Sequence, residues 1–241
     1  MRVARGNGPV IDFEAFEALT FDCYGTLIDW ESGILTALAT LLSEVEAPPS
    51  SEELLELFGR LEADAQRGAF RGYREVLTDV ATRFGKTLGL GVEPHRAASF
   101  AASVSEWPPF SDSIQALRVL ASRYRLAIVS NVDDDLFRGS EALLEADFAE
   151  VVTANQVRSY KPDPGHFHEV LRRLDLPTNR VLHVAQSLFH DIAPAMELGF
   201  TCVWVNRRAG RRGGGATLPA QATPELEVPD LASLVRELGI H

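Results

Sequence analysis

The chain has 241 residues, of which 46% are hydrophobic and 24% are charged, a composition typical of a globular protein that buries a core. The formal net charge is −11, so we expect neither nucleic acid nor an anionic membrane surface as a partner. Its two cysteines, Cys23 and Cys202, are too few and too far apart to indicate a disulfide framework or a structural zinc site. This cysteine usage predicts a reducing, cytoplasmic setting. No apolar run has the length of a signal peptide or a membrane span, so neither secretion nor membrane insertion is indicated.

Short apolar runs predict five strands that are buried on both faces. In chain order they lie at 18–21, 125–129, 150–153, 181–185 and 201–205. Amphipathic stretches of helical length separate the later strands, at 112–122, 134–146, 164–174 and 192–198. This alternation of strand and helix predicts an α/β fold with a doubly wound parallel sheet.

The segment between the first two strands breaks this alternation. Apolar residues recur near helical spacing at 34–45, 51–67 and 73–88, and Ser51 is a candidate N-cap for the second of these helices. We therefore predict a helical cap domain at 31–107, inserted after the first strand into a core formed by 1–30 and 108–241. Near the carboxyl end, the basic, glycine-rich stretch 207–215 is predicted to be a mobile surface loop.

Asp22 ends the first apolar strand and is followed by Tyr24 and a Gly25-Thr26 turn. A charged side chain at the end of a buried strand costs free energy unless it is paired or used. Strand alternation predicts that Asp22 and Tyr24 point to one side and Cys23 to the other. The position alone fits a reactive carboxylate and a structural acid bonded to turn amides equally well.

Polar side chains also follow the other predicted strands. Ser130 and Asn131 close the strand at 125–129, Lys161 precedes Pro162 ahead of a helix, and Asp191 follows the strand at 181–185. Because the carboxyl ends of parallel strands meet at one edge of a sheet, we expect these residues to lie near Asp22. Helix capping for Ser130 and Asn131, and a solvated loop position for Lys161, are the structural alternatives.

Taken in order, four motifs resemble the haloacid dehalogenase superfamily, and specifically its type II 2-haloacid dehalogenase branch. They are Asp-x-Tyr-Gly-Thr-Leu at 22–27, Ser-Asn at 130–131, Tyr-Lys-Pro-Asp at 160–163, and the strand and loop that end in Asp191. The resemblance covers 18–29 and about 108–207, with the helical insertion where that branch carries its cap. It implies a Rossmann-like core and hydrolytic removal of halide from small 2-haloalkanoic acids through a covalent ester.

The resemblance also implies roles for particular residues. Asp22 matches the nucleophile, Lys161 the lysine that stabilises its charge and the developing anion, and Asp191 the acid that holds this lysine or positions water. A cap arginine in the branch usually grips the substrate carboxylate; Arg60 is the candidate here, with Arg67, Arg71 and Arg74 as alternatives. The full set of implied substrate-binding residues is Tyr24, Ser130, Asn131, Arg60, Gln186 and Ser187.

Two positions distinguish this chain from the phosphatases of the superfamily, which use Asp-x-Asp and commonly an acid in the last motif. Tyr24 and Gln186 stand at those places. Mg²⁺ prefers anionic oxygens and a departing halide needs no proton, so the sequence predicts no metal and no cofactor. The alternatives are a Mg²⁺-dependent phosphatase of small phosphate esters, with Asp22 and Asp191 as metal ligands, and a catalytically silent binding protein. The expected partner is a small anionic molecule, and the branch resemblance adds a possible homodimer.

Overall fold

The computed structural model describes residues 11–43, 45–211 and 213–240. Within these ranges, six parallel strands form one sheet in the spatial order β3-β2-β1-β4-β5-β6. They are β1 (Ala18–Phe21), β2 (Arg125–Ser130), β3 (Glu150–Thr153), β4 (Val181–Ala185), β5 (Thr201–Val205) and β6 (Leu226–Val228). The sheet grows outward from β1 in both directions, which confirms the prediction of a doubly wound parallel sheet. The short edge strand β6 was not predicted.

Both faces of the sheet are covered, because successive strand residues join two different apolar clusters. Leu19 and Phe21 belong to one cluster, and Ala127 and Val129 to the other. Helices pack on these faces: α5 (Ser113–Ala121), α6 (Asp134–Leu144), α7 (Ala154–Val157), α8 (Gly165–Leu174), α9 (Ala193–Glu197) and α10 (Leu231–Leu238). Burial on both faces explains why the strands read as continuous apolar runs in the sequence.

Strand register aligns the carboxyl ends of the central strands. Phe21 of β1 lies level with Ile128 of β2 and with Val184 of β4. Asp22, one residue beyond Phe21, therefore lies at the same edge as the residues that end β2 and β4. In parallel sheets this edge is where ligands bind.

Among the described residues, four α-helices lie between β1 and α5 in the chain, and we call them the cap: α1 (Trp30–Leu41), α2 (Ser51–Ala65), α3 (Tyr73–Thr87) and α4 (Pro94–Ala102). Helix α1 begins four residues earlier than predicted because Asp29 accepts a hydrogen bond from the Ser32 amide. A capping box with Glu53 makes Ser50, rather than Ser51, the N-cap of α2. The fourth helix was not predicted, and the domain boundaries at 31 and 107 stay a prediction.

Several polar contacts join the cap to the rest of the chain, among them those of Asp133 and Arg208. Asp133, which precedes α6, accepts hydrogen bonds from the amides of Tyr73 and Arg74 at the start of α3, each at 2.9 Å. The side chain of Arg208 pairs with Glu31 and Glu52. Stretch 207–215 therefore differs from the predicted mobile loop, although Arg212 lies outside the described residues. Among the described helices, none is both long and apolar enough to cross a bilayer.

Candidate active site

A tight turn places Asp22 beyond the end of β1. The amides of Leu27 and Ile28 donate to the Cys23 carbonyl, and the Gly25 amide donates to the Ile28 carbonyl. Gly25 has φ of +93°, and a Cβ there would lie 2.9 Å from Nε1 of Trp30, so glycine is required. These three amides donate to carbonyls within the turn and not to the Asp22 carboxylate. Asp22 instead receives its hydrogen bond from a side chain of the turn.

Lys161 lies between two carboxylates in the interior. Its Nζ donates to Asp22 Oδ1 at 2.9 Å, to Asp191 Oδ1 at 2.6 Å and to the Val129 carbonyl at 2.8 Å. The hydroxyl of Thr26 donates to the other Asp22 oxygen, Oδ2, at 3.0 Å. The lysine side chain is only 1% exposed, and all three of its donors are used. The ammonium is therefore fixed in position next to Asp22.

Charges around Lys161 shift the pKa values of its neighbours. Burial disfavours the ammonium, but the charges of Asp191 and Asp22 outweigh it and raise the pKa of Lys161. Burial would raise the pKa of Asp191, yet Lys161 and the nearby His183 hold it at about 2. For Asp22, burial raises the pKa, with Lys161 acting in the opposite direction. At neutral pH the lysine is charged and Asp191 is ionised.

The side chains of Ser130 and Asn131 differ in their hydrogen bonds. The Asn131 side chain accepts from the Lys161 amide at 2.7 Å and donates to the Lys161 carbonyl at 3.1 Å. Asn131 therefore holds the backbone of the lysine in place. The Ser130 hydroxyl is buried and has no hydrogen-bond partner among the described residues. A buried hydroxyl left unpaired is costly, so Ser130 is the better candidate for a donor to substrate.

Segment 186–191 carries the last group of predicted site residues. A single π-helical turn, Leu188–Ile192, follows Ser187 and directs Asp191 toward Lys161. The Ser187 hydroxyl accepts from the His190 amide at 2.9 Å. Asp191 Oδ2 is buried without a partner among the described residues. Such π-turns are frequent at functional sites because they re-aim one side chain.

These groups line a cavity between the sheet edge and the cap. The core side of its wall consists of Asp22, Tyr24, Ser130, Asn131, Lys161, Ser187, His190 and Asp191. The cap contributes Trp30, Glu62, Gln66 and Tyr73, and the carboxyl-terminal segment contributes Thr217. The structure thus brings together seven of the nine predicted site residues.

Arg60 is not at this cavity. It is exposed on α2, and none of its three alternatives, Arg67, Arg71 and Arg74, lines the cavity either. Successive helix residues are rotated by about 100°, so Arg60 and the buried Glu62 lie on opposite sides of α2. Among the described residues no predicted arginine lines this cavity, and Glu62 lies at the cap wall instead.

Gln186 is the second predicted site residue that lies elsewhere. Its backbone amide donates to the Thr26 hydroxyl at 2.9 Å, and its carbonyl accepts from Trp204 Nε1 at 2.8 Å. Its side chain lines a smaller neighbouring cavity with Gly25 and Arg207. Gln186 therefore supports the turn that carries Asp22 and does not line the larger cavity.

The residues of the cap wall were not predicted, although the sequence of α2 contains one indication of them. Leu55, Phe58, Glu62 and Ala65 recur at helical spacing, and all four are buried. An acid within an otherwise apolar helix stripe indicates a partner or a function. Gln66, one turn beyond Glu62, reaches the same cavity.

The side chains present do not fit a divalent cation well. Both oxygens of Asp22 accept hydrogen bonds from Lys161 and Thr26, and Asp191 Oδ1 accepts from Lys161. Tyr24 offers a phenol where a second acid would be needed. Within the described ranges, no group of three or more His, Cys, Asp or Glu side chains is arranged to hold a metal ion. Hard cations require several anionic or carbonyl oxygens, which this cavity does not provide together.

A family model for haloacid dehalogenase-like hydrolases matches residues 16–199, more than half of the chain. This protein therefore belongs to the haloacid dehalogenase-like hydrolases, and its resemblance to their type II 2-haloacid dehalogenase branch is confirmed.

The relatives and neighbours agree with this assignment. The (S)-2-haloacid dehalogenase of Xanthobacter autotrophicus is 30% identical over 198 residues, which cover 79% of this chain and 75% of that protein. The (S)-2-haloacid dehalogenase 4A of Burkholderia cepacia is 27% identical over 201 residues, covering 81% and 85%. A solved structure of the L-2-haloacid dehalogenase from Xanthobacter autotrophicus with chloropropionic acid covalently bound has a TM-score of 0.78 at 22% identity, covering 93% and 98%. The similarity to this solved structure confirms the fold.

Proposed function

We propose that this protein removes halide from small 2-haloalkanoic acids by hydrolysis, with Asp22 as the nucleophile. The observation that carries the proposal is a buried carboxylate held by Lys161 and Thr26, with a tyrosine where a phosphatase has its second acid. The relatives whose names report 2-haloacid dehalogenase activity support it. No metal and no cofactor take part in the proposed reaction.

In the first step, an Asp22 oxygen attacks carbon 2 of the substrate from the side opposite the halogen. The new C–O bond forms as the carbon–halogen bond breaks, and the halide leaves with the electron pair. The product is an ester of Asp22 with inverted configuration at carbon 2. No proton is transferred, so the absence of an acid at position 24 has no cost in this step.

In the second step, water attacks the carbonyl carbon of the Asp22 ester. The Lys161 ammonium and the Thr26 hydroxyl stabilise the oxyanion that develops on the Asp22 carboxyl oxygens. Asp191 Oδ2, without a partner among the described residues, is available to orient the water and accept its proton. Collapse of the intermediate breaks the bond between the Asp22 carbonyl carbon and the substrate oxygen, and the departing alkoxide takes the proton from Asp191 to give the 2-hydroxy acid. The Asp22 carboxyl then loses its proton to solvent and is regenerated.

The substrate carboxylate needs a donor other than a cap arginine. Ser130 lines the cavity, and its hydroxyl is buried and unpartnered among the described residues. We assign the carboxylate to this hydroxyl. The proposal thus keeps Ser130 as a substrate contact, whereas Asn131 positions Lys161.

Tyr24 encloses the apolar side of the substrate. Burial raises the pKa of its phenol well above the ordinary value, and the hydroxyl is hydrogen-bonded to Ser140 at 2.9 Å. Its ring meets Trp107 edge-on at a centroid distance of 5.9 Å. A phenol in this state does not protonate a leaving group at neutral pH, which disfavours the phosphatase alternative.

Halide release tests this proposal. Wild-type protein should release fluoride or chloride from haloacetates and from one enantiomer of 2-chloropropionate at equal rates with and without EDTA. The matched comparison is an aryl phosphate with added Mg²⁺, for which we expect no turnover. Metal-dependent phosphate release without halide release would contradict the proposal.

We also propose a cytoplasmic location, because both cysteines are unpaired, buried thiols. The homodimer stays a prediction.

A further inference from the structure

Glu62 is a buried acid on the cap wall of the cavity. Its side chain is 5% exposed and lies in the apolar stripe of α2 next to Phe58 and Leu55. Its one hydrogen bond among the described residues comes from the Tyr73 hydroxyl, which donates to Oε1 at 2.6 Å. A carboxylate in such surroundings is costly unless a cation compensates it.

No described Lys or Arg provides that cation. The neighbouring cap arginines are paired with other acids, Arg71 with Asp79 and Arg74 with Asp135. Among the described residues that line the cavity, Lys161 is the one Lys or Arg, and it already binds two carboxylates. Within the described part of the chain, Glu62 is therefore a buried acid with no Lys or Arg side chain paired to it.

The walls beside Glu62 suit a small organic cation. Three aromatic residues, Trp30, Tyr24 and Tyr73, line the same cavity, and Gln66 lines it one helical turn from Glu62. Ammonium groups bind to carboxylates and to the faces of aromatic rings. When Glu62 is ionised, three acidic side chains, Asp22, Asp191 and Glu62, line the cavity together with one basic side chain, Lys161. The cavity then has an excess of negative charge.

We infer that Glu62 binds an ammonium group of the substrate, which makes the substrate class small 2-halo acids that also carry an amine. This inference rests on the proposed function. The substrate carboxylate would contact Ser130, carbon 2 would face Asp22, and the amine would reach the cap wall. The cap residue thus selects the substrate, while the core residues perform the reaction.

Titration of Glu62 gives the inference a second readout. Burial raises the pKa of Glu62 to about 7, and the Tyr73 hydrogen bond acts against this. Other groups near it are Tyr73 and Tyr160, whose pKa values burial raises far above neutrality, and, across the cavity, Asp22, Lys161, Asp191 and His190. Burial lowers the pKa of His190 to about 4, so it stays neutral near pH 7. Affinity for the amine should therefore rise as the pH increases through about 7, while the ammonium stays protonated.

The test compares two substrates of nearly equal shape, 3-amino-2-chloropropionate and 2-chlorobutanoate, in which an ammonium replaces a methyl group. Wild-type protein should show a kcat/KM about tenfold or more higher for the amine, the effect of one charge-assisted hydrogen bond. Glu62→Gln should lose this preference, mainly through a higher KM for the amine. Glu56→Gln, on the same helix but away from the cavity, should keep the preference.

Binding measured without turnover separates this inference from the proposed function. Calorimetry on Asp22→Asn should show tighter binding of the amine, and the double variant with Glu62→Gln should bind both compounds equally. A wild-type preference for 2-chlorobutanoate, or an amine preference that survives Glu62→Gln, would overturn the inference and leave the function intact. If neither compound releases halide, the proposed function fails, and equal affinities in calorimetry would overturn the inference as well.

Discussion

The two walls of the cavity were predicted from the sequence with unequal success. On the core wall, Asp22, Ser130, Lys161 and Asp191 lie together as the order of strands predicts. On the cap wall, the predicted arginine is absent and an unpredicted acid, Glu62, is present. The difference shows that strand ends in a parallel sheet fix the position of their side chains far more tightly than a run of amphipathic helices does.

Each wall has its own physical role in this account. The core wall holds the Lys161 ammonium at hydrogen-bond distance from Asp22, the proposed nucleophile, as the proposed reaction requires. The cap wall contributes an acid, an amide and aromatic residues, to which we assign recognition of the substrate. Changes to the core wall should therefore reduce kcat, and changes to the cap wall should alter the choice of substrate.

The largest expected effect is that of Asp22→Asn, which removes the nucleophile. Halide release should fall by about 10⁴-fold or more, since loss of a nucleophile removes the covalent route entirely. Halide-selective electrodes measure it, and an unchanged circular dichroism spectrum shows that the fold is retained. Turnover within tenfold of wild type would mean that Asp22 is not the nucleophile.

Lys161→Met should have the next largest effect. We expect kcat to fall by about 10²- to 10³-fold because the oxyanion loses its cation. The same change leaves Asp22 and Asp191 buried without their partner, so the free energy of unfolding should fall by about 3–5 kcal/mol. The exposed Lys86, changed to Met, is the control and should alter neither quantity. Retained kcat in Lys161→Met would contradict the assigned role.

Ser130→Ala should affect binding more than the reaction. If its hydroxyl holds the substrate carboxylate, KM for a 2-haloalkanoate should rise by about tenfold, the loss of one hydrogen bond to a charged group. Steady-state kinetics separate KM from kcat. A KM equal to that of wild type would place the carboxylate elsewhere on the core wall.

Asp133→Ala should lower stability without touching the reactive groups. Two hydrogen bonds to the start of α3 are lost, so the free energy of unfolding should fall by about 1–2 kcal/mol, as for a helix cap. Thermal unfolding should then begin a few degrees lower, by about 2–8 °C for a chain of this size. The neighbouring Asp135→Ala breaks an exposed ion pair with Arg74 and should cost less than about 1 kcal/mol. Equal losses in the two variants would argue against the anchoring role of Asp133.

The fold was predictable because apolar runs and strand order carry most of its information. Five of the strands lie where their apolar runs predict, and β6 escaped notice because its three residues form a short edge strand. The positions of Asp22 and Lys161 were predictable for the same reason, because each residue follows a buried element at the same edge of the sheet.

The rest depends on features that a single sequence does not display. Arg60 and Glu62 are two residues apart on α2, and only packing against the core decides which of them faces the cavity. Gln186 follows β4 as predicted, yet hydrogen bonds to Thr26 and Trp204 hold its backbone beside the Asp22 turn. Such choices follow from tertiary contacts and not from local periodicity.

A single turnover in H₂¹⁸O tests the central claim most directly. If water attacks the carbonyl carbon of an Asp22 ester, mass spectrometry should find ¹⁸O in the Asp22 carboxylate and an unlabelled hydroxyl group in the first equivalent of product. Label in the product together with an unlabelled Asp22 would mean that water attacks the substrate directly, and would contradict the covalent mechanism.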